Sequence, residues 1–339
     1  MSKIRYGSDV FPANPGENVL DVLLRNKMDV PYSCRKGVCM SCISRLDEGR
    51  PSPRSQENLK KSLVDQGYFL ACKADVTGDM SIAAPDDATL YSRARVKVLQ
   101  KLSGDVIRLV LQPATPLYYH AGQYVTLRRG DGLTRSYSMA SVPFLDTALE
   151  FHVRQMPDGL MSNWIANDLK EGDDLEFQGP NGSCYYFSDD PQKPMLLIGT
   201  GSGLAPLYGI VRDALFSGHK GDIRLYHGSR LDAGLYLKKR LFDLADQHQN
   251  FWYQPCVSSG VAPSECKSGR ASEVALEELE DLSGWNVYLC GDPGMVKDTQ
   301  RKAYLAGAAT GDIYSDAFEY RDVRQSKSAP YANDRRNHF

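Results

Sequence analysis

No run of apolar residues in this chain approaches the ~20 that a bilayer-spanning helix needs. The first residues, MSKIRYGSDVF, lack the apolar core of a secretion signal. Charge of one sign is missing too. The net charge is −2 over 339 residues, which leaves no field to draw a nucleic acid or an anionic membrane. Histidine is scarce, six in all, and none lies near the first cysteines. Structural zinc usually shows paired C-x2-C units or added histidines, and neither is present there. No acid–base triad is evident. Eight cysteines without a secretion signal point to a reducing cytoplasm rather than to disulfides. With 42% hydrophobic and 24% charged residues, the chain has an ordinary globular composition. Its length predicts two or three domains, each with its own core.

What is there begins with PYSCRKGVCMSC, Pro31 to Cys42. It sets Cys34, Cys39 and Cys42 in a C-x4-C-x2-C run, and Cys72 follows in FLACKADV. This is the plant-type ferredoxin spacing, in which four thiolates hold two irons bridged by two sulfides. Gly37 lets the backbone pass close to such a core. Cys184, Cys256, Cys266 and Cys290 share no metal-like spacing. Upstream, Asn18 is a candidate N-cap for a helix whose Leu20, Leu23 and Leu24 share a face. Downstream, Cys42 to Leu46 reads as a strand ending at Asp47-Glu48-Gly49, and Tyr68 to Cys72 as an apolar segment. The resemblance to a plant-type ferredoxin implies a small β-grasp fold over residues 1–88. That stretch carries twelve basic and twelve acidic residues. Such a balance suits a domain fed by its own chain, or is a drift without consequence. Met80 to Ala94 reads as the end of this domain and a short linker.

Between 93 and 190, short alternating segments predict a barrel: Arg95–Leu99, Val106–Leu111, Gln123–Leu127 and Leu149–Val153. Arg135-Ser136-Tyr137-Ser138 offers a guanidinium fork for phosphate, a ring for stacking and a small hydroxyl. Gly159, Met161 and Ser162 precede a helical pattern from Asn163, whose free N–H groups suit a pyrophosphate or are a plain helix cap. Gly179 to Gly182 reads as a closing turn. From 191 to 320, PMLLIG is a buried strand running into Gly199-Thr200-Gly201-Ser202-Gly203, with a helix from Leu204. DIRLYH, Phe251-Trp252-Tyr253 and WNVYLC are further strands with helical patterns between, including Ala271 to Leu279. This alternation predicts a parallel sheet with ligands at its carboxyl ends.

In order, G-Q-Y, R-S-Y-S, G-x-x-S and G-P-x-G resemble the FAD-binding barrel of the ferredoxin–NADP reductase superfamily. G-T-G-S-G-L-A-P and C-G-D-P-G-M resemble its nucleotide half. The resemblance implies that Arg135 and Ser162 hold the FAD phosphates, that Tyr137 contacts the flavin and that Ser138 lies near flavin N5. It places His152, Val153 and Arg154 by the cofactor's linking portion. Thr200, Gly201, Gly203, Gly291, Asp292 and Met295 then form the phosphate and nicotinamide loops, Cys290 lies beside the nicotinamide, and Phe318 packs over the flavin. Arg230 favours a 2′-phosphate and Asp232 a free ribose hydroxyl, and NADH is expected over NADPH.

The three-part order resembles reductase components of bacterial ring-hydroxylating dioxygenases, of the naphthalene type. It implies a multidomain fold: a β-grasp 2Fe-2S domain, an antiparallel β-barrel for FAD, and an α/β parallel-sheet domain for NAD(P). It implies an NAD(P)H-dependent oxidoreductase, monomeric and cytoplasmic, that feeds a terminal oxygenase or an intermediate ferredoxin. Reductases of di-iron hydroxylases, desaturases or deoxysugar dehydrases, and a slow redox-sensing module, are the alternatives. Residues 321–339 are expected to be a flexible tail.

Overall fold

The computed structural model describes residues 2–319 apart from Ser33, Asn58 and Ser188, and the expected tail lies outside it. Three sheets follow one another along the chain. The first is built from β1 (Lys3–Tyr6), β2 (Asp9–Pro12), β3 (Ile43–Glu48), β4 (Tyr68–Leu70) and β5 (Met80–Ala83), with helices α1 (Val19–Arg25) and α2 (Lys61–Asp65). Its strand order is β2-β1-β5-β3-β4, and β1 runs parallel to β5. Asn18 caps α1 by accepting from the Asp21 N–H at 2.9 Å, so Val19, Leu20, Val22 and Leu23 turn inward onto Ile4, Phe69 and Ile82. Met80–Ala83, in the stretch read as the end of this domain, is thus its central strand. Met80 and Ile82 are buried in alternation, a signal masked by the small residues between and after them. Only α3 (Asp87–Leu90) and its flanks connect to the next unit.

The second sheet contains β6 (Ser92–Lys101), β7 (Val106–Pro113), β8 (Tyr124–Arg128), β9 (Thr134–Ser138), β10 (Leu149–Arg154) and β11 (Asp174–Asn181), with α4 (Leu160–Asn167) before the last strand. The order is β10-β7-β6-β11-β8-β9, and all pairings are antiparallel. A bridge between Met139 and Phe151 joins the two outer strands and closes the barrel. Alternating residues of these strands, among them Leu109, Val125, Leu127, Phe151 and Phe177, fill it. Gly179 to Asn181, expected as a turn, instead end β11. The register with β8 shifts between Gln178 and Asn181, so the glycine and proline are absorbed as a bulge.

The third sheet is wholly parallel. It comprises β12 (Met195–Thr200), β13 (Ile223–Ser229), β14 (Phe251–Val257), β15 (Lys267–Ser268), β16 (Asn286–Gly291) and β17 (Ile313–Ala317). Helices α5 (Leu204–Phe216), α6 (Lys238–Gln247), α7 (Ala271–Glu278) and α8 (Pro293–Leu305) connect them. The order β15-β14-β13-β12-β16-β17 reverses direction between β12 and β16. That switch opens a crevice at the carboxyl ends of those two strands, where ligands bind in such sheets. Among the described residues no helix is long and apolar enough to cross a membrane.

Candidate active site

The cysteine loop is wound by its backbone. Arg35, Gly37 and Met40 have φ of 57°, 81° and 58°, which curls the chain so that N–H groups point at sulfur. The Cys34 N–H donates to Cys39 Sγ at 3.3 Å, and the N–H groups of Lys36 and Cys39 donate to Cys34 Sγ at 3.3 and 3.4 Å. A side chain at Gly37 would stand 2.8 Å from the stem of Lys73. Cys72 follows β4 in a tight turn, tied in by the Ala71 N–H to the Cys42 carbonyl at 3.0 Å. All four thiols are free, and three are buried. They act as two pairs. The hydrogen bond with Cys39 pulls Cys34 down to about 5 and pushes Cys39 up. Cys42 is raised and Cys72 lowered by their mutual hydrogen bond. Four sulfurs converging under inward N–H donors suit a 2Fe-2S cluster.

A cavity of about 940 Å³ opens beside this loop. Cys34 and Cys39 border it, as do Arg135, Ser136, Tyr137, Ser138, His152, Gly159, Met161, Ser162 and Phe318. Val153 does not contribute its side chain, which alternation turns into the barrel core. Helix α4 starts at Leu160, ahead of the expected Asn163, so Ser162 sits in its first turn. There Ser162 Oγ accepts from the Met156 N–H at 3.1 Å. A Cβ at Gly159 would lie 2.4 Å from that hydroxyl and force it to turn away. The His152 ring is buried between Glu150, at 3.0 Å from Nε2, and the Tyr236 hydroxyl, at 3.2 Å from Nδ1. Burial lowers its pKa, against the opposing pull of Glu150. Against the pull of burial, His152 and Arg108 hold Glu150 down to about 2. The volume, the glycine-lined rim and the mix of arginine, hydroxyls and ring suit a dinucleotide such as FAD.

At the far end of the cavity the barrel meets the parallel sheet. Ser138 Oγ donates to Asp316 Oδ2 at 2.5 Å, and desolvation pushes that carboxyl up to about 6. β17 pairs beside β16 with Asp316 opposite Cys290. The Phe318 N–H then donates to the Gly291 carbonyl at 2.8 Å, pinning the aromatic at the cavity edge. Cys290 is fully buried, its Sγ 3.8 Å from Cys184 Sγ. The two glycine loops touch at the sheet's switch point. A Cβ on Gly203 would fall 2.3 Å from the Cys290 carbonyl oxygen, and one on Gly291 2.6 Å from Thr200 Oγ1. Thr200 Oγ1 accepts from the Asp292 N–H at 3.1 Å. Asp292 in turn caps α8 by accepting from Met295 N–H at 2.9 Å. Gly201 has φ 53°, and its carbonyl accepts from His227 Nε2 at 3.3 Å. Past β13, Asp232 pairs with Lys238 at 2.5 Å. Lys238 also meets Glu265 at 3.2 Å. Arg230 gives its carbonyl to the Ser259 N–H.

Sequence reasoning singled out Ser138 but not its partner Asp316. The only signal was the D-A-F segment itself, and no spacing connects positions 178 residues apart. Tyr124 and Thr126, which touch the cysteine loop, were visible only as strand residues of the G-Q-Y segment.

Three family models match in chain order: a 2Fe-2S iron-sulfur cluster binding domain over residues 6–77, an oxidoreductase FAD-binding domain over 93–186 and an oxidoreductase NAD-binding domain over 197–301. The fold and site therefore define an NAD(P)H-dependent iron-sulfur flavoprotein oxidoreductase. The naphthalene 1,2-dioxygenase system ferredoxin–NAD(P)+ reductase component of Pseudomonas putida is 33% identical over 321 residues, 93% of this chain and 97% of its own. The reductase component of the naphthalene 1,2-dioxygenase/salicylate 5-hydroxylase systems of a Ralstonia species is 35% identical, over 90% and 94%. Among solved structures, the Amycolatopsis cytochrome P450 reductase GcoB superposes with a TM-score of 0.68 at 31% identity, covering 94% of this chain and 99% of that one. The chain belongs to the family of three-domain reductase components that these proteins represent. Its activity is to pass electrons from NAD(P)H through FAD and a 2Fe-2S cluster to an external acceptor.

Proposed function

We propose that this reductase takes NADH as donor and serves an aromatic ring-hydroxylating system, delivering electrons to the terminal oxygenase or to an intermediate ferredoxin. It works as a cytoplasmic monomer divided into residues 1–88, 93–190 and 191–320. The observation that carries the reading is the single cavity bordered by Cys34 and Cys39, by Arg135 to Ser138, and by Asp316 to Phe318. One binding space therefore touches all three units.

When bound, FAD and the cluster supply the conversion of a two-electron hydride into single electrons. The protein's part is to hold and orient. Cys34, Cys39, Cys42 and Cys72 hold the iron. Arg135, Ser162 and the first turn of α4 hold the FAD phosphates, and Ser136, Tyr137, His152, Gly159 and Met161 shape the cavity around them. Thr200, Gly201 and Gly203 at the start of α5, with Gly291, Asp292 and Met295 at the start of α8, hold the nicotinamide dinucleotide. Ser138, hydrogen-bonded to Asp316, would sit beside the flavin's hydride-accepting end, and Cys290, at the neighbouring strand end, would lie on the nicotinamide side. Phe318, at the cavity edge, would be the aromatic that packs over a bound flavin and gives way to nicotinamide. Asp232, past the end of β13 and paired with Lys238, would accept from a free ribose hydroxyl and disfavour a 2′-phosphate. Arg230 alone is too little to offset it.

A second acceptor class, a cytochrome P450, is favoured by the likeness to GcoB. The test is an anaerobic titration with NADH and then NADPH, followed by visible absorbance and electron paramagnetic resonance. Purified oxygenase, ferredoxin and P450 acceptors are then compared. Flavin bleaching followed by a reduced-cluster signal, with NADH the better donor, is expected. A protein folded and replete with FAD that shows no flavin reduction would overturn the reading.

A further inference from the structure

Strand β8 sits between the iron-sulfur unit and the barrel, and its two faces do different work. Val125 and Leu127 are fully buried in the barrel core. The alternate residues Tyr124, Thr126 and Arg128 turn the other way, and each holds the chain that precedes the barrel. The Tyr124 hydroxyl donates to the Val38 carbonyl. Thr126 Oγ1 donates to the Cys39 carbonyl at 2.8 Å. Arg128 pairs with Asp87 at 2.8 Å and lies over the Tyr91 ring at 3.9 Å.

Thr126 differs from its two neighbours. It has no exposed surface, and its hydroxyl is also 3.1 Å from Ser136 Oγ, its register partner on β9. A carbonyl can only accept, so the single Thr126 proton goes to Cys39 and the Ser136 hydroxyl must donate to Thr126. The result is one directed chain, Ser136 O–H to Thr126 O–H to the Cys39 carbonyl. It runs from a residue that borders the large cavity to a residue of the cysteine loop. Replacing the hydroxyl by a methyl would strand a buried carbonyl and let the loop shift away.

We infer that Thr126 is the positioning residue that sets the cysteine loop against the flavin site and so governs the transfer of single electrons between them. The inference rests on the functional reading above. The overall balance is one NADH and two oxidised acceptors giving one NAD+, one proton and two reduced acceptors. Only electrons cross at Thr126. No atom moves there and no bond is made or broken.

The test uses the full-length holoprotein as Thr126→Val, with Thr126→Ser as the conservative rescue. Anaerobic stopped-flow mixing with NADH separates flavin bleaching from cluster reduction. Amide hydrogen exchange over residues 36–41 reports the loop without any turnover. In Thr126→Val, flavin bleaching is expected within about twofold of wild type. Cluster reduction slows about five- to tenfold, the factor set by losing one buried hydrogen bond. Exchange in the loop rises while that in Lys3–Tyr6 does not. Thr126→Ser restores both readouts. A Thr126→Val protein with wild-type cluster reduction overturns the inference, and so does a Thr126→Ser protein as slow as the valine variant. If Thr126→Val does not retain its cluster, Tyr124→Phe is read in the same assay. A smaller slowing with faster loop exchange supports the docking role of β8, and no change in either overturns it. Wild-type protein whose flavin bleaches with no cluster signal would defeat the electron route itself, a failure distinct from that of Thr126.

Discussion

The cysteine loop and the nicotinamide end of the cavity reach the same standard of enclosure by opposite routes. Three of the four cysteines lie within nine residues, and positive φ at Arg35, Gly37 and Met40 folds their own backbone around the sulfurs. The nicotinamide end has no such local unit. Ser138 ends a barrel strand, Cys290 lies one residue from the end of a strand of the parallel sheet, and Asp316 sits on the next strand over. They meet only because β17 pairs beside β16 and the barrel packs on both. A site wound mostly by its own loop depends on few distant contacts, here Cys72 after β4 and the Thr126 hydroxyl. A site made by three strands depends on every packing contact that brings them together.

The sharpest way to break the comparison is to remove one member of the local site. Cys39→Ser is expected to lose the cluster's paramagnetic signal completely, while NADH-to-ferricyanide activity persists, because flavin reduction lies upstream. Loss of both would show that the two sites are not separable. Next in size is Gly201→Val. Its φ of 53° is hostile to a β-branched side chain, and the strain should raise KM for NADH by about tenfold or more. Bound FAD, quantified by absorbance, should stay at wild-type occupancy. Loss of flavin would mean the composite end is not distinct from the barrel.

Asp316→Asn probes the composite site directly. We expect flavin reduction by NADH to slow by about tenfold, the size of one misdirected hydrogen bond at a reacting centre. The wild-type rate should bend near pH 6, where this carboxyl titrates, and the variant should be flat across that pH. Stability changes with the opposite benefit. A carboxyl raised from 3.8 to about 6 binds its proton more tightly in the fold. Its contribution is therefore complete below about pH 4 and is lost as pH rises through 6. By calorimetry, FAD-free Asp316→Asn should gain on the order of 3 kcal/mol over wild type between pH 4 and pH 8. No gain would place the carboxyl in a more solvated setting. The smallest effect is expected at Asp232. Asp232→Asn should cut the preference for NADH over NADPH by about fivefold, or ~1 kcal/mol, measured as the ratio of kcat/KM values. An unchanged ratio would move donor choice to another residue.

The legible parts of the sequence were those whose physics is local. The α1 cap at Asn18, the alternation of the barrel strands, the glycine turn after β12 and the cysteine spacing each need only a few neighbours in the chain. Met80–Ala83 was read as the end of its domain but not as a strand, because four residues flanked by small ones give too little alternation to count. Gly179–Asn181 was misread because a glycine and a proline signal a turn unless a neighbouring strand absorbs them as a bulge. Val153 was placed by the cofactor on the family resemblance, and its side chain turns into the barrel core because adjacent residues of a strand face opposite ways.

The sequence by itself determined the class of protein: the four-cysteine spacing, the barrel and nucleotide motifs, and their order along the chain. Those are contained in short windows where spacing is set by covalent geometry. Only the tertiary structure decided that Asp316 orients Ser138, that Cys184 lies against Cys290, and that Thr126 holds the Cys39 carbonyl. Each of those contacts joins residues that no local periodicity relates. They exist because buried polar groups from separate sheets must find partners once packing has removed water from between them.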